Sequence, residues 1–340
     1  MPKLNVLVAG STGYIGIQLI KLLCKHKCIN IKYLCGNSSI GRDITTYEKS
    51  LISKKLPKIV KFKKDFLNDV DIIFTALPNG EAQDISKHLL YNNVLIDLAA
   101  DFRLNKAKLY LKWYKQKHKA INKINKSFYS LPELNGKELK KYNIIACPGC
   151  YPTSILIPLT PLIKKNLIKS NNIIIDSKSG YSGAGRKVHK KYENKNLYES
   201  LSAYGVGKHR HNSEIHQELS KITKKKINFI FTPHLTPMFR GIMSTIYIET
   251  NNNKSINDLN KELKKSYFKS HFIKVLKPNT HLSTNEVINT NNCLISICKT
   301  ENKNKFIILS VIDNLIKGGA GQAIQNMNLK FGLVETMGLK

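Results

Sequence analysis

A short apolar run followed at once by three regularly spaced glycines constrains the fold of this chain more than any other feature. The run is Asn5-Val6-Leu7-Val8-Ala9, and the turn after it is Gly10-Ser11-Thr12-Gly13-Tyr14-Ile15-Gly16. Ile15, Leu19 and Leu23 then recur at helical spacing, so the order is strand, glycine turn and helix. Small residues in this order let the backbone approach a pyrophosphate at a helix N-terminus. The pattern predicts a dinucleotide site along the whole turn, with a tight strand-to-helix connection as the alternative.

The residues after the second predicted strand bear on the choice of nucleotide. This strand covers residues 31–35 and leads into Gly36-Asn37-Ser38-Ser39-Ile40-Gly41-Arg42. An NAD-binding domain usually has Asp or Glu at this point to bind the ribose 2′-hydroxyl, and this segment contains neither. Ser38 and Arg42 offer a hydroxyl and a cation to a 2′-phosphate instead. The segment therefore favours NADP over NAD.

The rest of the chain indicates two domains of different construction. Residues 71–78 and 94–98 form further apolar strands separated by a helical segment, which is typical of a parallel sheet. Beyond about residue 146, strands such as 241–248 alternate apolar and polar residues, as half-exposed antiparallel strands do. We predict an α/β fold: a Rossmann-type nucleotide-binding domain over residues 1–146, and an α+β catalytic domain with a mostly antiparallel sheet over residues 147–315.

Cys150 lies where a predicted strand gives way to a predicted helix. Residues 143–146 are β-prone, and Cys147-Pro148-Gly149-Cys150-Tyr151-Pro152 leads into a new apolar run. Proline is tolerated in a first helical turn, so Cys150 is predicted at or just before a helix N-terminus. Free N–H groups and the helix dipole favour a thiolate there. Cys150 is therefore a candidate nucleophile, with a buried structural thiol or a metal ligand as alternatives.

Two predicted loops each contain an arginine at a position suited to binding an anionic ligand. Arg103 follows a parallel strand, at the sheet edge where open α/β folds bind ligands. It suits a carboxylate or phosphate, and an ion pair with Asp97 or Asp101 is the structural alternative. The loop 177–186 is rich in glycine and serine, ends at Arg186 and offers N–H donors to an anion. A plain flexible loop is the alternative there.

Two histidines two residues apart precede another predicted helix. The segment is Lys208-His209-Arg210-His211, and Ile215 and Leu219 follow at helical spacing. The sequence shows no matched set of further ligands that would complete a zinc site. We therefore predict no metal site, and a general acid or base that serves Cys150.

The net charge of +32 raises the question of nucleic-acid binding. The lysines are spread through nearly every segment, and the chain shows no zinc-finger spacing, helix-turn-helix signature or aromatic RNA-binding motif. A solvated basic surface is therefore predicted rather than a nucleic-acid partner.

The chain contains no run of about 18 apolar residues, so no membrane span is predicted. The seven cysteines form no disulfide framework, and no signal-peptide pattern is present, so a cytoplasmic location is expected.

These segments together resemble one enzyme family. Over essentially its whole length the chain is similar to the N-acetyl-gamma-glutamyl-phosphate reductases, arginine-pathway enzymes related to aspartate-semialdehyde dehydrogenases. The matching segments are 10–16, 97–104, 131–134, 148–153, 179–186, 209–211, 233–241 and 317–328. The resemblance implies a Rossmann-type domain that carries NADP and is completed by a C-terminal helix at about 316–340. It also implies a second domain that contacts a small-molecule substrate, and a homo-oligomer, either a dimer or a tetramer.

The resemblance implies a reaction as well. Cys150 would attack the carbonyl of an acyl phosphate, release phosphate and form a thioester, which hydride from NADPH reduces to an aldehyde. His211, or else His209, would be the acid/base. The residues implied to bind the substrate's anionic groups are Arg103, Arg186, His209 and Arg240. Further residues implied to contact the cofactor are Leu77, Pro78, Ser182, Gly183 and, at the nicotinamide end, Gln322.

Two positions depart from the family pattern. The family usually has asparagine where this chain has Cys147, which creates a Cys-Pro-Gly-Cys segment of the kind seen in redox or metal pairs. We hypothesise that oxidants join Cys147 to Cys150 and inactivate the enzyme. Segment 36–42 also lacks the serine-arginine pair that is common after the second strand, so Ser38 and Arg42 are proposals for the 2′-phosphate.

Two alternative functions follow from the same features. The first is a paralogous reductase that acts on aspartyl phosphate or on a carrier-bound aminoadipyl group, because such enzymes share the mechanism. The second, from another class, is a nucleic-acid-binding protein built on a dinucleotide fold. Steeply salt-dependent binding of polynucleotide would distinguish the second from a reductase.

Overall fold

The structure, a computed structural model, describes residues 3–186, 199–224 and 227–340. The chain divides into two units. Unit 1 is Met1–Pro148 together with Gly319–Lys340, and unit 2 is Gly149–Gly318. Each unit contains its own seven-stranded sheet.

Unit 1 is built on a parallel sheet. Its strands are β1 (Leu4–Ala9), β2 (Ile29–Cys35), β3 (Ile59–Val60), β4 (Ile72–Thr75), β5 (Val94–Asp97), β6 (Ser127–Tyr129) and β7 (Ile144–Ala146). They lie in the order β3-β2-β1-β4-β5-β7-β6, and every pairing is parallel. β4 and β5 are buried along their whole length, because helices and loops cover both faces of such a sheet. The chain direction across the sheet reverses at β1, which is where open α/β sheets bind ligands.

The helices of unit 1 are mostly short. They are α1 (Tyr14–Leu23), α2 (Glu81–Ser86), α3 (Ala107–Tyr114), α4 (Ile121–Ile124), α5 (Pro132–Asn135) and α9 (Gly321–Lys330). α1 follows the glycine turn as predicted and buries Leu19 and Leu23. α3 buries Tyr110, whereas Leu109 and Trp113 on the same helix are half-buried. Tyr110 is drawn inward because its hydroxyl donates a hydrogen bond to Asp101, 2.7 Å away.

Asp101 ties the end of the sheet to α2. Its carboxylate accepts hydrogen bonds from the backbone N–H groups of Gly80, Ala82 and Gln83, from the Gln83 amide and from the Tyr110 hydroxyl, at 2.7–3.3 Å. The side chain is fully buried, so it caps the N-terminus of α2 from inside the unit. Asp101 therefore has a structural role.

An Asp101→Ala variant is expected to destabilise the protein by about 4 kcal/mol, because it leaves several buried donors unsatisfied and each is worth about 1–3 kcal/mol. Urea unfolding followed by circular dichroism measures this. Asp84→Ala is the matched control on the same helix, since that carboxylate is exposed and paired with Lys87 and Lys119; it should cost less than about 1 kcal/mol. Equal effects of the two substitutions would contradict the structural role of Asp101.

α9 belongs to unit 1 through buried polar side chains. The Asn326 carboxamide oxygen accepts a hydrogen bond from the Ser130 hydroxyl at 2.6 Å, and its NH₂ group lies 3.6 Å from the Cys147 sulfur. Asn328 hydrogen-bonds the ring of His26 at 2.9 Å and donates to the carbonyl of Met337 at 3.0 Å. These contacts attach the C-terminal helix to elements formed more than 170 residues earlier.

Unit 2 contains a mixed sheet. Its strands are β8 (Ile173–Gly180), β9 (Ser202–Ala203), β10 (Phe229–Thr236), β11 (Ile242–Glu249), β12 (Ile273–Val275), β13 (Cys293–Lys299) and β14 (Lys305–Ile312). They lie in the order β12-β13-β14-β11-β8-β10-β9. The β8–β10 and β12–β13 pairs are parallel, and the other four pairs are antiparallel.

Three helices accompany this sheet among the described residues. They are α6 (Cys150–Lys164), α7 (His211–Thr223) and α8 (Ile256–Tyr267). α6 packs against β11 and β14 and against both other helices, and it is apolar around most of its circumference. Alternate residues of β11 are buried, and those between are partly or fully exposed, so one face of the sheet is covered by helices and the other is open. A π-helical turn, Ile316–Ala320, precedes α9. Within the residues that the structure describes, no helix has the length and apolar character needed to cross a bilayer.

Candidate active site

Cys150 is the first residue of α6, as the sequence predicts. Gly149 is the N-cap residue and has no side chain with which to cap the helix. The cysteine is partly exposed. A Cβ atom on Gly318, in the π-helical turn, would lie only 2.7 Å from the Cβ of Cys150. Glycine at 318 therefore leaves room for the thiol side chain, which lies at the positive end of the helix dipole.

The His211 ring packs against the residue that precedes Cys150. A Cβ atom on Gly149 would lie 2.4 Å from Nε2 of His211, so the imidazole occupies the space that a side chain at 149 would need. His211 is the first residue of α7, whereas the sequence analysis placed both histidines before this helix. The start of this helix fixes the backbone of His211, and its imidazole lies next to the start of α6.

Glu214 completes this contact and was missed by the sequence analysis. The side chain is fully buried, and its Oε2 accepts a hydrogen bond from the backbone N–H of Gly149 at 2.9 Å. Its Oε1 lies 3.8 Å from Nε2 of His211, three residues earlier on α7. The signal was present as a histidine and a glutamate at i, i+3 on a predicted helix, because residues at that spacing share a face.

His209 is enclosed by aromatic rings. Its ring lies 4.7 Å from that of His211 and 5.4–5.6 Å from those of Tyr151, Tyr204 and Phe231, measured between centroids. Burial, with a smaller contribution from the neighbouring Arg210 cation, lowers the pKa of His209 to about 4. Its Nδ1 accepts a hydrogen bond from the backbone N–H of His211 at 3.2 Å. His209 is therefore neutral near pH 7 and holds the backbone of His211.

Tyr151 is a second residue that the sequence analysis did not single out. It follows Cys150 in α6 and is buried. Its hydroxyl accepts a hydrogen bond from the Tyr204 hydroxyl at 3.0 Å and donates one to the carbonyl of His234 at 3.3 Å. Burial strongly raises the pKa of Tyr151, so this side chain stays a neutral phenol. Its ring packs against the ring of His209.

The arginines chosen from the sequence have different surroundings. In unit 1, Arg103 donates from Nε to the carbonyl of Cys147 at 2.8 Å and from Nη2 to that of Leu98 at 2.9 Å. In unit 2, Arg240 donates to Asn289 at 2.7 Å and forms an ion pair of 2.8 Å with the buried carboxylate of Asp313. Asp313, which the sequence analysis did not single out, therefore orients the Arg240 guanidinium.

The loop after β8 is anchored by its neighbours. The backbone N–H of Ser182 donates to the carbonyl of Phe239 at 2.9 Å, and its buried hydroxyl accepts a hydrogen bond from the Asn314 amide at 3.0 Å. Gly183 and Arg186 are exposed. Arg186 therefore places a cation at the exposed end of this loop.

Cys147 has the environment of a structural thiol. It is 1% exposed, and burial raises its pKa to about 12. A thiol that stays protonated is a poor partner for disulfide exchange, so these surroundings argue against the hypothesis of a redox pair with Cys150. Among the residues that the structure describes, no three His, Cys, Asp or Glu side chains are placed to hold a metal ion.

The glycine turn of unit 1 fits a dinucleotide. A Cβ atom on Gly10 would lie 2.3 Å from the carbonyl oxygen of Ala76, and one on Gly16 would lie 2.2 Å from that of Gly10. Gly10 also has a φ of +85°, which favours glycine. Gly13 is the N-cap of α1 and provides no side-chain cap. The close packing and the N-terminus of α1 form the cradle that a pyrophosphate requires.

A cavity of about 410 Å³ adjoins this turn at the carboxyl edge of the sheet. Its lining includes Gly10 and Leu77 but not Pro78, Ser38 or Arg42. Ser38 and Arg42 are exposed, and the side chain of Gln322 is fully buried in α9. Of the remaining turn residues, Ser11 and Thr12 lie between β1 and α1, and Tyr14 and Ile15 are the first two residues of α1.

Two family models match separate parts of the chain, much as the structure divides it into two units. Residues 5–142 match the model described as semialdehyde dehydrogenase, NAD binding domain. Residues 150–314 match the model described as semialdehyde dehydrogenase, dimerisation domain. These matches agree with the Rossmann-type construction predicted for the first part of the chain.

Individual relatives extend this comparison. The chain is 42% identical to the probable chloroplastic N-acetyl-gamma-glutamyl-phosphate reductase of Arabidopsis thaliana, over 97% of this chain and 82% of that protein. It is 41% identical to the N-acetyl-gamma-glutamyl-phosphate reductase of Thermoanaerobacter pseudethanolicus, over 98% and 96% of the two chains. Aspartate semialdehyde dehydrogenase II of Vibrio cholerae has the same fold, with a TM-score of 0.73, 17% identity and coverage of 98% and 99%. Because the plant relative is named chloroplastic, the cytoplasmic location stays a prediction.

Proposed function

The chain belongs to the N-acetyl-gamma-glutamyl-phosphate reductase family of semialdehyde dehydrogenases, and we propose that it uses NADPH to reduce N-acetyl-L-glutamyl 5-phosphate to N-acetyl-L-glutamate 5-semialdehyde and phosphate, a step of arginine biosynthesis. The observation that carries the proposal is the position of Cys150 at the start of α6, with His211 packed against the preceding glycine. A thiol and an imidazole on adjoining helix starts are what acyl transfer through a thioester requires.

Cys150 and His211 perform the acyl transfer. His211 takes the thiol proton, and the Cys150 sulfur then attacks the acyl phosphate carbonyl. The carbon–oxygen bond to phosphate breaks, and His211 gives its proton to the departing phosphate. Glu214, 3.8 Å from His211 Nε2, stabilises the imidazolium formed between these steps.

The thioester on the Cys150 sulfur is then reduced. NADPH, which the glycine turn of unit 1 would hold, would supply the hydride for reduction of the thioester carbonyl. The resulting thiohemiacetal breaks down with departure of the Cys150 thiolate, which the dipole of α6 stabilises. The semialdehyde leaves, and the thiolate regains a proton through His211.

The anionic groups of the substrate require cationic partners. Arg103, Arg186 and Arg240 are proposed for this role together with His209. Arg186 is exposed at the end of its loop, and Arg240 is oriented by Asp313. The neutral His209 ring can contribute a hydrogen bond but no charge near pH 7.

A homo-dimer is proposed through the open face of the unit 2 sheet. Ile174 is 45% exposed, Ile230 is 63% exposed and Tyr247 is 41% exposed, and they lie on three adjacent strands. Apolar side chains grouped on one open face mark an interaction surface. The match to a dimerisation domain over residues 150–314 supports a second copy of this chain as its partner.

The reverse reaction tests the proposed function. Purified protein is incubated with NADP and phosphate, and with either N-acetylglutamate semialdehyde or aspartate semialdehyde, while NADPH formation is followed by absorbance. Rapid NADPH formation is expected with the acetylated semialdehyde only. A faster rate with aspartate semialdehyde would favour the paralogous reductase. Binding of polynucleotide with a steep salt dependence, without any reductase activity, would favour the nucleic-acid alternative.

A further inference from the structure

The end of β2 is where a Rossmann domain meets the ribose of the adenosine. A carboxylate at this point binds the 2′-hydroxyl in NAD enzymes. Here the chain has Gly36 and Asn37, and both line the cavity beside the glycine turn. The cavity also has an apolar wall, which includes Phe62, Leu77 and Ile85 and suits the adenine base. The position that selects between the two nucleotides is therefore free of acid.

Strand β3 brings a cation to the same point. Cys35 pairs with Val60 in the parallel register, and the backbone N–H of Gly36 donates to the carbonyl of Val60 at 3.1 Å. Lys61 follows directly, so it leaves the sheet beside Gly36 and Asn37. Among the described residues that line this cavity, Lys61 alone has a lysine or arginine side chain.

Arg42 lies at the other end of β3. The backbone N–H of Ile59 donates to the carbonyl of Arg42 at 3.0 Å, and that of Gly41 donates to the carbonyl of Ile59 at 2.8 Å. These bonds hold the segment 41–42 beside Ile59, the first residue of β3. Lys61 follows Val60, the last residue of that strand. Parallel strands rise about 3.3 Å per residue, so the Arg42 backbone is set back from the cavity edge.

The opposite wall of the cavity carries acidic residues on α2. Asp84 is already paired with Lys87 at 2.8 Å and with Lys119 at 2.6 Å, so its charge is largely compensated. Glu81 lies in the first turn of α2, where the helix dipole favours a carboxylate. The cationic side of the cavity is therefore the β2–β3 edge, and the acidic side is α2.

We propose that Lys61, with Asn37 beside it, binds the 2′-phosphate of NADP and so determines the preference of this enzyme for NADP over NAD. This assignment rests on the proposed function and replaces Ser38 and Arg42 as the specificity residues. An ammonium group that forms a charge-assisted hydrogen bond to a phosphate contributes selectively, because NAD has no group at this position. Asn37 adds a neutral amide donor.

Titration of the full-length protein with two small nucleotides, followed by calorimetry, tests the assignment. Adenosine 2′,5′-bisphosphate and 5′-AMP differ only in the 2′-phosphate, so the ratio of their Kd values isolates the contact. The wild-type protein is expected to bind the bisphosphate at least about 10-fold more tightly. Lys61→Ala should weaken bisphosphate binding by about 10- to 100-fold, as expected for loss of a hydrogen bond to a charged group, and leave 5′-AMP binding within about 2-fold.

Three further variants make the result decisive. Lys63→Ala removes an exposed lysine that does not line the cavity and should leave the ratio unchanged, which controls for the general positive charge. Lys61→Arg should retain most of the preference. A ratio that survives in Lys61→Ala, or that is lost in Arg42→Ala, overturns the assignment. Wild-type protein that reduces the acyl phosphate with NADPH but shows no preference for the bisphosphate overturns this inference and leaves the proposed function intact.

Discussion

A Cys150→Ser variant is expected to lose at least about 10³-fold in kcat while keeping its fold, because a serine hydroxyl is a far weaker nucleophile than a thiolate and forms no thioester. The substitution changes one atom at the first residue of α6, so little packing is lost. NADPH oxidation measured under saturating acyl phosphate gives kcat. A thermal unfolding midpoint within about 2 °C of the wild type would show that the loss is chemical, since a shift of that size corresponds to well under 1 kcal/mol.

Cys298→Ser is the matched control, since Cys298 is also partly exposed and lies in the same unit but outside the site. It should retain wild-type activity. A stoichiometric thioester, trapped with acyl phosphate in the absence of NADPH and detected by mass spectrometry, is expected in the wild type and in Cys298→Ser only. Near-parental activity of Cys150→Ser would refute the thioester mechanism.

His211→Asn is expected to lower kcat by about 10²- to 10⁴-fold, the range over which a general acid/base contributes. His211 is assigned this role because its Nε2 lies against Gly149 and near the carboxylate of Glu214. His209→Asn should have a smaller effect, of about 10-fold, because the half-buried ring of His209, with its pKa of about 4, is already neutral at the assay pH. Steady-state kinetics of both variants across pH 5–9 measure the difference.

The pH profiles separate the two histidines. In His209→Asn the shape of the kcat profile should match that of the wild type, since a group that titrates near pH 4 does not change its charge in this range. In His211→Asn, the limb of the kcat profile that reports ionisation of the general acid/base should disappear. Larger activity losses and an altered profile in His209→Asn, together with mild effects in His211→Asn, would reverse the assignment.

Several features of the site could be predicted from local sequence because each depends on neighbours in the chain. The glycine turn between β1 and α1 and the position of Cys150 at a helix start are both present in the structure. A strand ends and a helix begins within a few residues, and the signals of apolar periodicity and proline placement lie in the same few residues. The resemblance to one enzyme family, which the comparisons confirm, rested on the same segments.

The partners of these residues could not be predicted because they come from distant segments. Glu214 reaches Gly149 across 65 residues, Asp101 binds donors on two helices, and Asp313 orients Arg240 across 73 residues. Each is an ordinary acid in the sequence. Their roles appear only when packing removes water from the carboxylates and leaves particular N–H groups as their partners.

The sequence by itself therefore determined the nucleotide turn, the thiol at a helix start and the family to which the chain belongs, since these depend on short-range patterns. Only the tertiary structure decided the surroundings of those groups. It buried Cys147 as an unreactive thiol, enclosed His209 as a neutral ring, brought His211 to Gly149, and set Lys61 beside Asn37 through the β2–β3 register. Charge state and contact depend on burial and on long-range pairing, and neither is encoded in the spacing of residues along the chain.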